Sequence, residues 1–454
     1  MSVAPPRATE GVPKLARKLG VFDATLIVMG GVIGSGIFRT PSVVAARVHG
    51  ATAILVAWLC GGLIALIGAF IFAELAWRRP SSGGLYGYLR DAYHPVVAFM
   101  YGWTALLISQ SGGMAAAAIT FGAYVAPAAS GSGSAALWGV AAIVLLTVIN
   151  CLGVREGGNA QNLLMILKGA VIVALVVAGA FIAPAAAHAT AADGVTAPPA
   201  GSLVAFGAAM IAVLFSYDGF QTAAFIDGEL KDPKRTLPFG LVWGIAVVVA
   251  LYVGVTLVGL RVLGAQGLAA TATPASDIMR LAFGAIGSRI IALGIALSTL
   301  GFLSNQVLTS PRIYYTMAED RIFFKQLAWL HPRSRVPIVA IAVQSAVAIA
   351  IALSGRYDQI LNYVTSIDFV FLGLAAGAVI IFRRRARVTT TSGVRIPGHP
   401  WTTIFFIIVS IAVVVNTYIA FPEDSLIGLA ILLLGAPVYL IWKRPTVPGR
   451  SPER

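Results

Sequence analysis

Apolar runs about twenty residues long, separated by short polar or glycine- and proline-rich segments, recur along the whole chain. Each is long enough to cross a ~30 Å hydrocarbon core as a helix. About twelve are legible: Val21 to Ala46, Ala51 to Leu75, Val96 to Ala126, Ala135 to Leu152, Leu163 to Ala183, Leu203 to Ile226, Pro238 to Leu260, Ile290 to Met317, Pro337 to Ser354, Ile360 to Phe382, Trp401 to Phe421 and Leu426 to Trp442. Two of them are interrupted. The first carries Val32-Ile33-Gly34-Ser35-Gly36-Ile37-Phe38 at its middle, and the sixth carries Phe215-Ser216-Tyr217-Asp218-Gly219-Phe220. In hydrocarbon every backbone N–H and C=O needs a partner, so a helix can break there only where protein, water or a ligand satisfies the freed groups. Two broken helices at matching positions of two five-span halves point to a binding site near the membrane midplane.

The pattern predicts an all-α membrane protein of about twelve transmembrane helices: a five-plus-five inverted repeat with broken first and sixth helices, plus two extra helices. The expected boundaries are a tail at 1–20, a first repeat with its following loop at 21–202, a second repeat at 203–382, the last two spans at 383–442 and a tail at 443–454. Composition agrees, with 58% hydrophobic and 11% charged residues and a mean hydropathy of +0.87. The longest external segments are Ala185 to Ser202 and Arg261 to Arg289, the second with room for a short helix.

A net charge of +14 would suggest nucleic acid in a soluble protein, but the basic residues fall on one side. With the amino terminus inside, only Arg39, Arg47, Arg261, Arg280, Arg289 and Arg356 lie outside, Lys168 lies within the fifth span, and the rest of the 32 Lys and Arg face inward. That asymmetry places both termini in the cytoplasm, and it leaves nucleic-acid binding a remote alternative. No cleavable signal peptide is expected, because the first apolar run exceeds a signal h-region of roughly 7–15 residues. Cys60 and Cys151 both lie in apolar spans and offer no disulfide framework. The five histidines are scattered over different loops, so neither a metal site nor another cofactor is expected. No phosphate-binding loop and no nucleophile–base pair points to ATP use or to an enzyme.

Four motifs in order resemble the amino acid, polyamine and organocation permeases, and within them the L-type amino acid transporter group. They are Gly31-Val32-Ile33-Gly34-Ser35-Gly36-Ile37-Phe38 with Thr40-Pro41, then Pro80-Ser81-Ser82-Gly83-Gly84-Leu85-Tyr86. Phe215 to Phe220, with the following loop Gly228-Glu229-Leu230-Lys231-Asp232-Pro233-Lys234-Arg235-Thr236-Leu237-Pro238, is the third, and Leu308-Thr309-Ser310-Pro311-Arg312-Ile313-Tyr314-Tyr315 the fourth. The resemblance runs almost end to end. It implies a secondary transporter that carries an amino acid, with neutral L-amino acids preferred, by alternating access through exchange or proton coupling and without sodium. A cationic amino acid or polyamine carrier is the alternative, and a non-transporting amino acid sensor is the alternative of another class. Whether an accessory subunit joins it stays open.

The candidate substrate site comprises Ile33, Gly34, Ser35 and Gly36 of the first break and Phe215, Ser216, Tyr217, Asp218 and Gly219 of the second. N–H groups at a helix amino end suit a carboxylate, and C=O groups at a carboxyl end suit an ammonium. Ser35 and Gly36 are thus expected to hold the carboxylate, and the carbonyls of Ile33, Phe215 and Ser216 the ammonium. The bland reading of these glycines is a close helix-packing face. Asp218 has three candidate roles: binding a cation, exchanging a proton, or bonding to amides freed by the break. By the resemblance, Lys168 stands where sodium-coupled relatives bind their ion, bonding carbonyls near the first break and groups such as Ser298, Thr299, Ser304 or Asn305. Snorkelling toward the interface is its alternative. The resemblance also makes Phe215 an aromatic lid, and Arg39 with Asp368 a gate above the site.

Overall fold

A computed structural model describes residues 17–48, 50–81, 83–126, 134–182, 203–354, 357–385, 394–420 and 422–442. Residues 1–16 of the expected tail at 1–20, the expected tail at 443–454, the segment 185–202 and Arg356 lie outside the described residues. The described residues are helical nearly throughout. In order it forms α1 (Val21–Val32), α2 (Gly36–Arg47), α3 (Ala51–Arg78), a short α4 (Leu85–Ala92), α5 (Pro95–Thr104) and α6 (Gln110–Val125) joined by a π-helical turn at Ala105–Ser109, α7 (Ala135–Leu152) and α8 (Val154–Phe181). The second part has α9 (Leu203–Tyr217), a 3-10 segment Phe220–Glu229, α10 (Pro233–Ala270), α11 (Pro274–Thr309), α12 (Pro311–Glu319), α13 (Ile338–Ser354), α14 (Tyr357–Arg385), α15 (Trp401–Ala420) and α16 (Pro422–Trp442).

Among the described residues, nine helical stretches are long and apolar enough to cross a membrane, the bent pair α1–α2 forms a tenth, and the apolar helices Ile338–Ser354 and Ser425–Ile441 are shorter. These account for every expected span. Several edges differ from the apolar runs. The fifth span begins at Val154 rather than Leu163, because its polar first turns, with Arg155, Glu156 and Gln161, are helical despite lying outside the apolar run. The seventh continues past a kink at Gly264 to Ala270, and the eighth starts at Pro274 and kinks at Gly284, so the segment around Arg261 to Arg289 is largely helical.

The broken elements sit at the centre. The α1 helix packs on α10, α8 and the 3-10 segment, α2 packs on α9 and α10, and α11 packs on α6 and α8. At the periphery, α7, α8 and α15 expose apolar stripes such as Leu145, Val148 and Leu152 on α7 and Ile404, Ile408, Ile411 and Val415 on α15. Such continuous apolar surface is unsuited to water and suited to lipid.

Candidate substrate site

The first span breaks because α1 ends at Val32, Ile33 turns to extended backbone (φ −75°, ψ 101°) and α2 restarts at Gly36 with Ser35 as its cap, the two axes differing by 44°. The first N–H groups of α2 have no intrahelical acceptor, and no side chain caps them. The freed carbonyls on the other side are already engaged. Lys168 Nζ on α8 donates to Gly30 O at 3.1 Å and Ile33 O at 2.5 Å, Tyr252 Oη on α10 donates to Val32 O at 3.2 Å, and Ser298 Oγ on α11 donates to Gly34 O at 2.9 Å. Lys168 is fully buried, so it does not snorkel. Of its expected polar neighbours, Ser298 shares the first break with it, whereas Thr299 bonds within its own helix and Asn305 donates to Thr222. The Ile33 carbonyl is therefore held by Lys168 and does not face the cavity.

The second break is set by Gly219, whose φ of +99° disfavours any residue with a side chain. A Cβ there would also overlap the Gly31 carbonyl, and one on Gly31 would meet Gly219 O at 2.5 Å, so the two breaks touch backbone to backbone. Thr222 closes the turn by donating from both its N–H (3.2 Å) and its hydroxyl (2.8 Å) to Gly219 O. Ser216 Oγ donates to Ala212 O at 3.0 Å and shares a hydrogen bond with Thr40 Oγ1 at 2.8 Å, tying α9 to α2. Tyr217 does not line the site: its ring turns into a cluster with Trp58 and Tyr252, and its hydroxyl donates to Trp58 O at 3.3 Å.

Between the breaks lies a cavity of about 840 Å³, its opening to solvent included. Gly34, Ser35 and Gly36 line one wall, and Phe215, Ser216, Asp218 and Gly219 line another. Asp368 joins them from α14, on the same cavity as Asp218 and Ser109. The expected Arg39–Asp368 pair is not formed. Arg39 is on the exposed face of α2, while Asp368 is buried against Asp218.

Sequence reasoning missed five polar lining residues: Ser109, Gln110, Gln221, Thr222 and Gln306. Gln306 Nε2 and Ser310 Oγ both donate to Gln110 Oε1, at 2.9 and 2.8 Å, linking α11 to α6. The signal was present as Ser109-Gln110-Ser111 inside an apolar run, at the π-helical turn that re-aims these side chains.

Toward the arginine-rich end the 3-10 segment is buried, and the fully buried Arg312 and Glu229 pair at 2.7 Å. Beyond them, Tyr86 on α4 and Arg90 both donate to Asp320 Oδ2 at 2.7 Å. Burial pushes the Tyr86 hydroxyl up, and the Asp320 charge pushes the same way, so the tyrosine remains a donor.

The sequence profile of an amino acid permease family matches residues 19–436. A serine/threonine exchanger of Bacillus subtilis is 32% identical over 95% of this chain and 98% of its own. A b(0,+)-type amino acid transporter 1 of Mus musculus is 28% identical over 81% of this chain and 76% of its own. An uncharacterized transporter of Mycobacterium tuberculosis is 33% identical over 81% and 80%.

Proposed function

The chain belongs to the amino acid permease family, and from that premise we propose that it exchanges neutral L-amino acids across the cytoplasmic membrane by alternating access, without sodium. It is a multi-pass membrane protein. Basic residues on one side support both termini lying in the cytoplasm. The divisions at 21–202 and 203–382 would be the halves that move against each other, with 383–442 outside them.

The observation that carries this reading is the cavity itself, with the uncapped amino end of α2 on one wall and the carboxyl end of α9 with Asp218 on another. The first suits an α-carboxylate. The second suits an α-ammonium, because the last four carbonyls of an α-helix have no intrahelical donor. With the Ile33 carbonyl taken by Lys168, the Ser216 carbonyl and the second lone pair of the Phe215 carbonyl, which already accepts the Asp218 N–H at 3.3 Å, are left for the ammonium. Phe215 lines the same cavity and would cover the substrate. Lys168 would act as a fixed cation where a coupling ion would otherwise be needed. Serine and threonine, named for the Bacillus relative, are the first substrates to try.

The test is a competition panel in proteoliposomes. Neutral L-amino acids should inhibit labelled threonine exchange, and their amides and decarboxylated amines should be weaker by at least about tenfold, a loss of ~1.4 kcal/mol. Equal inhibition by an amino acid and its amine analogue would show that Ser35 and Gly36 do not hold a carboxylate.

A further inference from the structure

At the arginine-rich end the chain entering α1 runs beside the chain entering α10. Lys18 N and Leu19 N donate to Glu229 O at 3.0 and 3.1 Å, and Lys231 N donates to Leu19 O at 3.0 Å, so Lys18 and Lys231 flank a single bridge. Lys234 and Arg235 follow in the first turn of α10. All four residues are exposed, and among the described residues none of them forms an ion pair. The acids around them offset little of this charge. Glu229 is buried against Arg312, Asp23 accepts from the Asn162 amide and the Gly20 N–H, and Asp232 alone on the same segment is exposed. In the first turn of α8, the exposed Arg155 and Glu156 balance each other.

Beside this patch α8 and α10 diverge. Farther from it they touch, since a Cβ on Gly254 would meet Val176 at 3.5 Å and one on Gly179 would overlap Val258. Nearer to it α1 wedges between them: a Cβ on Gly240 would meet Ala24 at 3.1 Å, one on Gly244 would meet Val28 at 2.8 Å, and Asn162 Nδ2 donates to Asp23 Oδ1 at 2.6 Å. Phe239, Trp243, Val247, Gly254 and Val258 fall on one helical stripe of α10, so Phe239 and Trp243 lie on the side from which α8 has withdrawn. They are 49% and 54% exposed with ring centroids 5.9 Å apart, and Phe22 on α1 is 63% exposed. Exposed aromatic rings next to cations at the end of a membrane helix mark the headgroup level.

We propose that patch and groove together bind one anionic phospholipid, its phosphate against Lys18, Lys231, Lys234 and Arg235 and an acyl chain along Phe239 and Trp243. Long basic side chains can lay their methylene stems on apolar surface while their charged ends reach the phosphate. Clusters of about four to eight Lys and Arg beside a membrane helix favour anionic headgroups, each cation being worth roughly fivefold in binding. A zwitterionic headgroup gains little, because its own cation meets the same patch. A free phosphate gains from the charge but leaves the groove empty. Through the bridge at Leu19 and Leu230, one headgroup spans the entries of both α1 and α10.

The experiment is lipid binding to the purified full chain in a nonionic detergent, read by displacement of a fluorescent phosphatidylglycerol and by the unfolding temperature. Phosphatidylglycerol should bind saturably and raise the unfolding temperature. Phosphatidylcholine should displace the probe at least about tenfold more weakly. Joint Lys18→Gln, Lys231→Gln, Lys234→Gln and Arg235→Gln should abolish that preference. Joint Arg321→Gln, Lys325→Gln, Arg333→Gln and Arg384→Gln, at exposed positions outside the patch, should keep it. If the first joint variant does not fold, Lys234→Gln alone should weaken phosphatidylglycerol binding by roughly fivefold. Trp243→Ala should weaken it at unchanged charge. Equal binding of the two lipids, displacement by glycerol phosphate as effective as by lipid, equal losses in the two joint variants, or a Trp243→Ala variant that binds like the parent would overturn the site. Binding is read without transport, so its failure leaves the exchange reaction standing.

Discussion

Lys168 carries the most consequence per residue. Its ammonium is fully buried and donates to two carbonyls of the first break, Gly30 and Ile33. Lys168→Ala would orphan both, at a cost of ~1–3 kcal/mol for each buried acceptor left unmade. The variant should still insert, but with a lower unfolding temperature and with transport reduced by at least about tenfold, a loss of ~1.4 kcal/mol. Replacing sodium by choline should leave the unaltered protein's exchange unchanged, and strict sodium dependence would contradict the fixed-cation role. The lysine was legible because an ammonium inside an apolar run demands acceptors. That it bonds carbonyls near the first break was implied by the resemblance, but which carbonyls was not, and Ile33, expected to meet the substrate, meets Lys168 instead. Tyr217 departs from expectation for a similar reason: one residue from Ser216 turns a helical side chain by about 100°, toward α3, where Gly61 and Gly62 leave room for its ring.

Among the elements, the two breaks are the features the sequence exposes best, since a glycine cluster beside a polar or charged group inside a hydrocarbon-length run is costly unless the helix opens there around a site. Their mutual contact appears only in three dimensions. Gly219→Ala would force a side chain onto a φ of +99° and against the Gly31 carbonyl, so its cost should exceed the ~1–3 kcal/mol of backbone strain alone. Gly207→Ala on the same span, where an added Cβ meets nothing within 4 Å, should fold and transport like the parent. Thermal unfolding in detergent checks both, and a Gly219→Ala variant as stable as the parent would contradict the close approach of the breaks. Other element details were hidden because hydropathy reports hydrocarbon rather than hydrogen bonding. Neither the π-helical turn at Ala105–Ser109 nor the 3-10 form of Phe220–Glu229 changes the apolar pattern, and the polar first turns of α8 read as a loop.

For the molecule as a whole, span count followed from apolar length, and the central position of the first and sixth spans followed from their interruptions. The packing layer at the arginine-rich end did not, because hydropathy does not say which charged residues near span ends meet, and Glu229 and Arg312 are buried and paired there. Arg312→Met would strand the Glu229 carboxylate and should cost ~3–5 kcal/mol, whereas joining it with Glu229→Gln should recover part of the loss. A double variant no more stable than the single one would mean the pair does not set that cost. The central claim is that this arrangement exchanges amino acids, and counterflow tests it most directly. Proteoliposomes loaded with unlabelled L-threonine and diluted into trace labelled L-threonine, free of sodium, should accumulate label transiently above equilibrium, and vesicles without internal substrate should not. Identical uptake with and without internal threonine would contradict the account.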